Sequence, residues 1–388
     1  MASDEAASPL LEVARAFRPR ILAEREHIEA GRRLPAHLAR ELAGAGFFRI
    51  FLPAAYGGLD LTPMEGMAVY EELARADASV AWCVWNGNVN WTTAQLPPEV
   101  AQALFADPDV ILANSTRPSG GAAVVEGGYR VNGRWSLVSG CQLSSWFILL
   151  SVVHENGTAR RTPSGAPESR FMLCPAADCE IVDTWTSGGL RGTGSHDVVV
   201  RDLFVADPQA SFFTDPFVLA GSRYRIPAIS RVVPGLAAMA LGVARNAIEA
   251  LVDLAVGKRD ERAGPSLRDD RGAQTRVSQA EALVGSARLF LFDTVSRLWD
   301  EVLRDGEATM PARAQVRLAS WHAVTSAVQA VDLVYLTGGA TSLYASCPLE
   351  RAFRDVHAMT QHIAVHPRIL ETAGRVLFGL EPESPLTV

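Results

Sequence analysis

Apolar residues in the first third of the chain recur at three- and four-residue steps. Leu38, Leu42, Phe47 and Phe48 mark one apolar face, and Pro63 to Ala74 carries another with acids at Glu71 and Glu72. That period predicts helices over about residues 8–107, interrupted by the Pro- and Gly-punctuated turn Leu52 to Gly58. Near Val110 the pattern shifts to short β-branched runs separated by turn residues. Candidate strands lie on either side of Asn132-Gly133, where the Asn-Gly pair predicts a hairpin, and at Phe147 to Val153, Arg170 to Leu173, Ile181 to Trp185 and Val198 to Val205. Helical periodicity returns from about Pro227. Between Arg276 and Leu303 the apolar positions Val277, Val284, Ala287, Leu291, Val295, Leu298 and Val302 form the buried stripe of one long helix. The expectation is an α+β protein with an N-terminal helical domain over 1–108, a middle β domain over 109–215 and a C-terminal helical bundle over 216–388.

Composition narrows the function classes. With 43 acidic against 36 basic residues the formal net charge is −7, and no Lys/Arg block is dense enough to neutralise a nucleic-acid backbone. The first nine residues lack a cationic flank leading into an apolar stretch, so they do not read as a secretory signal. The strongly apolar runs Trp146 to Val153 and Val232 to Ala244 fall short of the roughly 20 residues of a membrane span. A cytoplasmic protein without membrane or nucleic-acid partners is expected. The five cysteines show no CxxC or Cys/His ligand spacing, which predicts reduced thiols and no metal site.

Five local motifs occur in one order: Tyr56-Gly57-Gly58; Gly133-Arg134-Trp135-Ser136-Leu137-Val138-Ser139-Gly140 running to Trp146; Arg191-Gly192-Thr193-Gly194-Ser195-His196-Asp197; Gly338-Gly339; and Glu350-Arg351 followed by Arg354-Asp355. Together with the order of helices and strands, they resemble the acyl-CoA dehydrogenase superfamily across nearly the whole chain. The resemblance implies a β-barrel-like middle domain, a C-terminal four-helix bundle and a flavin cofactor. It also implies a tetramer, or at least a dimer, since such flavin sites are completed across subunits. In that family a Ser or Thr at the position of Ser139 donates a hydrogen bond towards flavin N5, and an aromatic borders the ring, for which Trp135 is the candidate. The resemblance further assigns Asn114, Ser115 and Thr116 to the flavin ring, and Gly338 and Gly339 to the turn that meets a neighbouring subunit's flavin. A helix C-cap explains the glycine pair equally well.

The dehydrogenase reaction needs a carboxylate base about eight residues beyond the Arg-Asp pair, and here Arg354 to His366 contains no Glu. A histidine at the position of His362 is similar instead to the two-component flavin monooxygenases on this scaffold. That branch takes FADH2 or FMNH2 and O2 and works through a C4a-hydroperoxyflavin, and the resemblance implies hydroxylation of an aromatic or polycyclic small molecule. His362 is the leading catalytic candidate, with an imidazole suited to substrate deprotonation or to stabilising the oxygen adduct. Several aromatic hydroxylases of the branch carry a second histidine where counting from Trp82 places Asn90, which can hydrogen-bond but cannot act as a base. His357 and His366 suit no metal with His362, lacking an acidic third ligand. Trp82, Trp85 and Trp91 read as core, or as the wall of a pocket for a flat aromatic. No P-loop or Gly-x-Gly-x-x-Gly segment appears, so a separate NAD(P)H:flavin reductase is expected as partner. An arginine between Arg259 and Arg271 is a candidate for contact with a neighbour's flavin. The alternatives are N-oxygenation of an amine or amino sugar, an acyl-CoA dehydrogenase with a displaced base, and a non-catalytic oligomeric scaffold.

Overall fold

The computed structural model describes residues 8–212, 214–257 and 266–382. Six helices come first: α1 (Pro9–Ala23), α2 (Arg25–Gly31), α3 (Ala36–Gly44), α4 (Pro63–Ala76), α5 (Ala78–Gly87) and α6 (Pro98–Phe105). The start of α4 is fixed by a reciprocal cap: Thr62 Oγ1 accepts from the Glu65 N–H, and the Glu65 carboxylate accepts from the Thr62 N–H. Eight strands follow: β1 (Leu112–Val125), β2 (Gly128–Val138), β3 (Trp146–Glu155), β4 (Thr158–Ala159), β5 (Ser169–Pro175), β6 (Glu180–Val182), β7 (His196–Ala206) and β8 (Ala210–Ser211). They form one mixed sheet in the order β6-β7-β2-β1-β3-β5-β8, with β4 beside β3 and the β1–β3 pair parallel. Five more helices close the chain: α7 (Ala228–Gly257), α8 (Arg271–Asp305), α9 (Met310–Gly338), α10 (Pro348–Met359) and α11 (Arg368–Leu377).

The stripe expected between Arg276 and Leu303 lies along α8, with Val284, Ala287, Leu291, Val295, Leu298 and Val302 all buried. One continuous apolar core joins the N-terminal helices to α7–α10, with Tyr70 and Leu73 of α4 in the same cluster as Leu236 and Leu241 of α7. The sheet keeps a separate core around Val131, Trp135, Phe147 and Met172. By length and composition alone α7 could cross a membrane, more than its Pro234 and Gly235 interruption suggested, but 72% of its apolar window is buried inside the protein. It serves here as the central helix of the bundle. The five cysteines are unpaired thiols, four of them buried.

The Asn132-Gly133 hairpin is not formed. β2 runs straight through the pair, and the turn between β1 and β2 falls at Glu126-Gly127, where Gly127 takes φ +75°. Asn132 instead sits at a register shift against β7, its Oδ1 accepting from the Asp202 N–H at 2.8 Å. Gly133 and its cross-strand partner Gly120 are needed for space rather than for turning. Against both lies the Trp135 indole, fully buried, its Nε1 donating to the Leu150 carbonyl at 2.6 Å. A Cβ on Gly120 would stand 2.0 Å from the indole ring. Gly120→Ala is therefore expected to cost about 1–3 kcal/mol of stability by overpacking. Thermal unfolding followed by circular dichroism measures it.

Candidate active site

The site gathers where helix α5, the ends of β1 and β2, the 190–195 turn and the segment after α10 meet. Helix α5 is capped by the buried Asp77, whose carboxylate accepts from the N–H groups of Ser79 (2.9 Å) and Val80 (3.1 Å). Trp82 and Trp85, one turn apart on α5, meet edge to face at 5.1 Å between centroids. The His362 imidazole stands edge-on to both, at 5.7 Å from Trp82 and 5.6 Å from Trp85. Trp85 is held in turn by its Nε1 donating to the Val232 carbonyl of α7 at 3.0 Å. Asn86 continues the same helix face: its Nδ2 donates to the Ser139 carbonyl, and its own oxygens accept from Asn114 Nδ2.

Ser139 lies just past β2, after a register break between Trp135 and Val138 that puts Leu137 at φ +60°. A non-Gly residue in the left-handed region is strained, and such strain concentrates at functional positions. The break turns the Leu137 side chain outward, 46% exposed, and carries Ser139 inward to α5. Trp82 Nε1 donates to Ser139 Oγ at 3.0 Å, and the Ser139, Ser195 and Thr193 hydroxyls follow at 2.7 Å spacings. β1 breaks register against β3 between Ser115 and Gly120, which leaves Thr116, Arg117, Pro118 and Ser119 exposed beside this group.

His362 follows α10 directly and caps a short 3-10 turn at Ile363–Val365. Its Nδ1 accepts from the Ala364 N–H at 3.2 Å, so the neutral ring carries its hydrogen on Nε2. The Ala364 carbonyl accepts from Nη1 of Arg317, a buried arginine of α9, at 2.8 Å. Burial first, and then the positive charges of Arg117 and Arg317, push the His362 pKa down to about 4. Among the described residues no carboxylate acts on the ring. Nε2–H is consequently a standing donor, and the imidazole is poorly suited to take a proton.

The expected residues divide. Ser139, Asn114 and His362 are brought to one place, with Ser115 and Thr116 at the adjoining strand break. Trp135 is not: the sheet core and its bond to Leu150 hold the indole away from the site, and Leu137 is the exposed apolar residue at that strand end. Asn90 lies on a 3-10 segment after α5, its Nδ2 committed to the Phe48 carbonyl at 2.6 Å, while its buried Oδ1 has no partner. Gly338 ends α9 and Gly339 caps it at φ +59°; a Cβ on Gly338 would stand 2.2 Å from Ser342 Oγ. The helix-cap reading of this pair thus has direct geometry within the subunit. Arg259 and Arg262 of the candidate flavin loop lie outside the described residues. His357 pairs with Asp332 at 2.9 Å, and no group of three metal-ligating side chains forms among the described residues. Sequence reasoning did not single out Asn86, Arg317 or the roles of Thr193 and Ser195. For the last two the signal was present in Thr193-Gly194-Ser195, two hydroxyls flanking a glycine inside a recognised motif.

The chain matches two family models, described as acyl-CoA dehydrogenase, N-terminal domain, over residues 4–96 and acyl-CoA dehydrogenase, C-terminal domain, over 234–367. It is 30% identical over 358 residues to indole-3-acetate monooxygenase of Pseudomonas putida, covering 89% of this chain and 88% of that protein. It is 30% identical over 376 residues to the oxygenase component of the FADH(2)-dependent resorcinol hydroxylase of Rhizobium sp. (strain MTP-10005), covering 92% of this chain and 90% of that one. The structure of XiaF from Streptomyces sp. in complex with FADH2 and glycerol superposes with a TM-score of 0.88 at 26% identity, over 98% of this chain and 97% of that one.

A direct check concerns the imidazole. The folded pKa of His362 lies below its unfolded value near 6.5, so its neutral state contributes stability that is present above pH 6.5 and lost as pH falls towards 4. Histidine-selective NMR is expected to show the Nε2–H tautomer with a midpoint below pH 5. The stability gap between the protein and His362→Gln should shrink across the same window, and a midpoint near 6.5 refutes the assignment.

Proposed function

Since the chain belongs to the acyl-CoA dehydrogenase superfamily, in its flavin-dependent monooxygenase branch, we propose that it hydroxylates a flat aromatic substrate at the site between α5 and His362. It is the oxygenase component of a two-component system that uses reduced flavin and O2. The observation that carries the reading is the His362 imidazole, set as a neutral donor against the Trp82–Trp85 edge in a place that no carboxylate among the described residues reaches. A dehydrogenase removing an α-proton needs a carboxylate base there, and the described residues of the site offer none.

The residues present fit the ring of a flavin. The β1 break at Thr116 to Ser119 leaves an exposed strand edge, Leu137 offers an outward apolar side chain, and Ser139 brings a hydroxyl on a rigid support. Asn114, Ser115 and Thr116 would hold one edge of the ring and Ser139 its reactive edge. Gly338-Gly339 is a candidate for close approach by the partner subunit's flavin. When bound, the reduced flavin supplies the electrons that activate O2. This chain's residues supply the rest: the two indoles keep water from the face they cover, and His362 Nε2–H donates to an oxygen placed over it. Asn90 Oδ1, buried and unpartnered, is an acceptor suited to a hydroxyl or N–H of the substrate. The relatives' named substrates, indole-3-acetate and resorcinol, are aromatic and agree with an indole-walled pocket. A separate NAD(P)H:flavin reductase delivers the reduced cofactor.

Assembly into a homotetramer is supported by apolar residues left in water at one end of the bundle: Leu336, Leu343 and Tyr344 are 70%, 69% and 67% exposed, close to Gly339. Sedimentation should give four times the chain mass, and Tyr344→Glu should lower it. A monomer at micromolar concentration rejects the assembly.

Single-turnover reaction of FADH2-loaded protein with O2 and a panel of phenols and indoles tests the activity. His362→Ala should lose about 10²-fold in hydroxylated product per flavin oxidised, the scale of one positioned hydrogen-bond donor, with hydrogen peroxide rising in its place. Failure of every aromatic, combined with reduction of bound FAD by an acyl-CoA, would return the chain to the dehydrogenases.

A further inference from the structure

The hydroxyl chain beside α5 has a direction. Its first member, the Trp82 Nε1–H, can only donate, and its last, the Leu190 carbonyl, can only accept. That carbonyl also takes the Thr193 N–H and Trp185 Nε1–H, both at 3.1 Å, but Thr193 Oγ1 is nearer, at 2.8 Å, and two oxygens that close need the single Thr193 hydroxyl hydrogen between them. Thr193 can then only accept from Ser195, at 2.7 Å. Ser195, having spent its hydrogen, can only accept from Ser139, also at 2.7 Å. The sequence of bonds is therefore Trp82 to Ser139 to Ser195 to Thr193 to Leu190, all of it buried. Reversing it would leave two oxygens facing each other at 2.8 Å with no hydrogen between them.

Ser139 is thereby left with no hydrogen to give and one lone pair to offer. This differs from the role the family resemblance implies, in which it donates to the cofactor. The two redox states of a flavin differ at this point: oxidised N5 is an acceptor, and reduced N5 carries a hydrogen. We propose that Ser195 and Thr193 are positioning residues that hold the Ser139 hydroxyl as an acceptor, so that the site tells reduced flavin from oxidised flavin by one hydrogen bond. The proposal rests on the reading that the flavin's reactive edge meets Ser139. It assigns the discrimination to two residues that need not touch the flavin. A preference of this kind suits a protein that must capture free reduced flavin from a reductase and let the oxidised form go.

The test is the dissociation constant of FAD and of dithionite-reduced FADH2, measured anaerobically by ultrafiltration on the protein and three variants, each checked for an unchanged melting profile. The protein should prefer FADH2. Ser195→Ala, which frees the Ser139 hydrogen, should narrow the preference about tenfold by strengthening FAD binding, the scale of one hydrogen bond made and one repulsion relieved. Because the ratio of the two constants sets the potential of the bound cofactor, the same variant should lower its midpoint by about 30 mV. Thr193→Val should move both in the same direction. Ser139→Ala should also narrow the ratio, but by weakening FADH2, a split that loss of structure alone does not produce. If both redox forms bind and Ser195→Ala leaves their ratio unchanged, the hydroxyl chain has no such role and the flavin reading survives. If Ser139→Ala changes neither constant, or neither form binds, the flavin reading falls and the proposal with it.

Discussion

The placement of the site depends on one buried guanidinium. Arg351 of α10 reaches Glu29 of α2 and Asp77 at the cap of α5, both at 3.2 Å, and its neighbour Asp355 accepts from the Leu190 N–H of the 190–195 turn at 2.6 Å. Three stretches of chain that share no hydrogen-bonded ladder are fixed to one helix end. Such a cluster is a weak source of net stability, because each charge gives up its water, but removing one member leaves the others buried and unpaired. Its contribution is therefore geometric. Burial and the nearby Asp77 carboxylate raise the Asp355 pKa to about 7, even with Arg351 and Arg354 beside it.

From this junction the chemistry follows by short steps. The Asp77 cap sets where α5 begins and so where Trp82 and Trp85 stand; the Asp355–Leu190 bond sets the turn that ends the hydroxyl chain. His362 comes seven residues after Asp355, at the exit of the same helix. Donor, acceptor and aromatic wall are thus all referred to α10, although they come from four separate stretches of sequence. That common reference gives the small angular tolerance a hydrogen-bonded site requires.

Much of this was legible before the coordinates. The long helices were, because a buried stripe such as Val284 to Val302 leaves its period in the sequence whatever it packs against. Ser139 and His362 were, through motifs. What misled were positions whose role depends on a distant partner. Gly133 looked like a turn residue, yet its job is to leave room for an indole, and only the pairing of β1 with β2 reveals that. Trp135 looked like a cofactor contact because sequence distance from Ser139 is small; the backbone break at Leu137 puts the two side chains in different compartments. The direction of the Ser139 hydrogen bond could not be read from residue types at all, since it is decided by a carbonyl about fifty residues away.

The shared core of the two ends of the chain has a bearing on biosynthesis. Arg75 of α4 pairs with Glu249 of α7, 174 residues later, and the apolar faces of these two helices cover each other. At 5–20 residues per second, roughly 10 to 35 s separate their emergence from a ribosome. Throughout that interval the face of α4 that packs on α7 lacks its cover, although Phe47 and Tyr70 can already meet Phe17 and Phe51 within the first helices, while the sheet between can close on its own interior. Nascent chains of this protein are thus natural clients for chaperones that hold an amino-terminal segment until its carboxy-terminal half arrives, and the middle of the molecule is the part that can fold first.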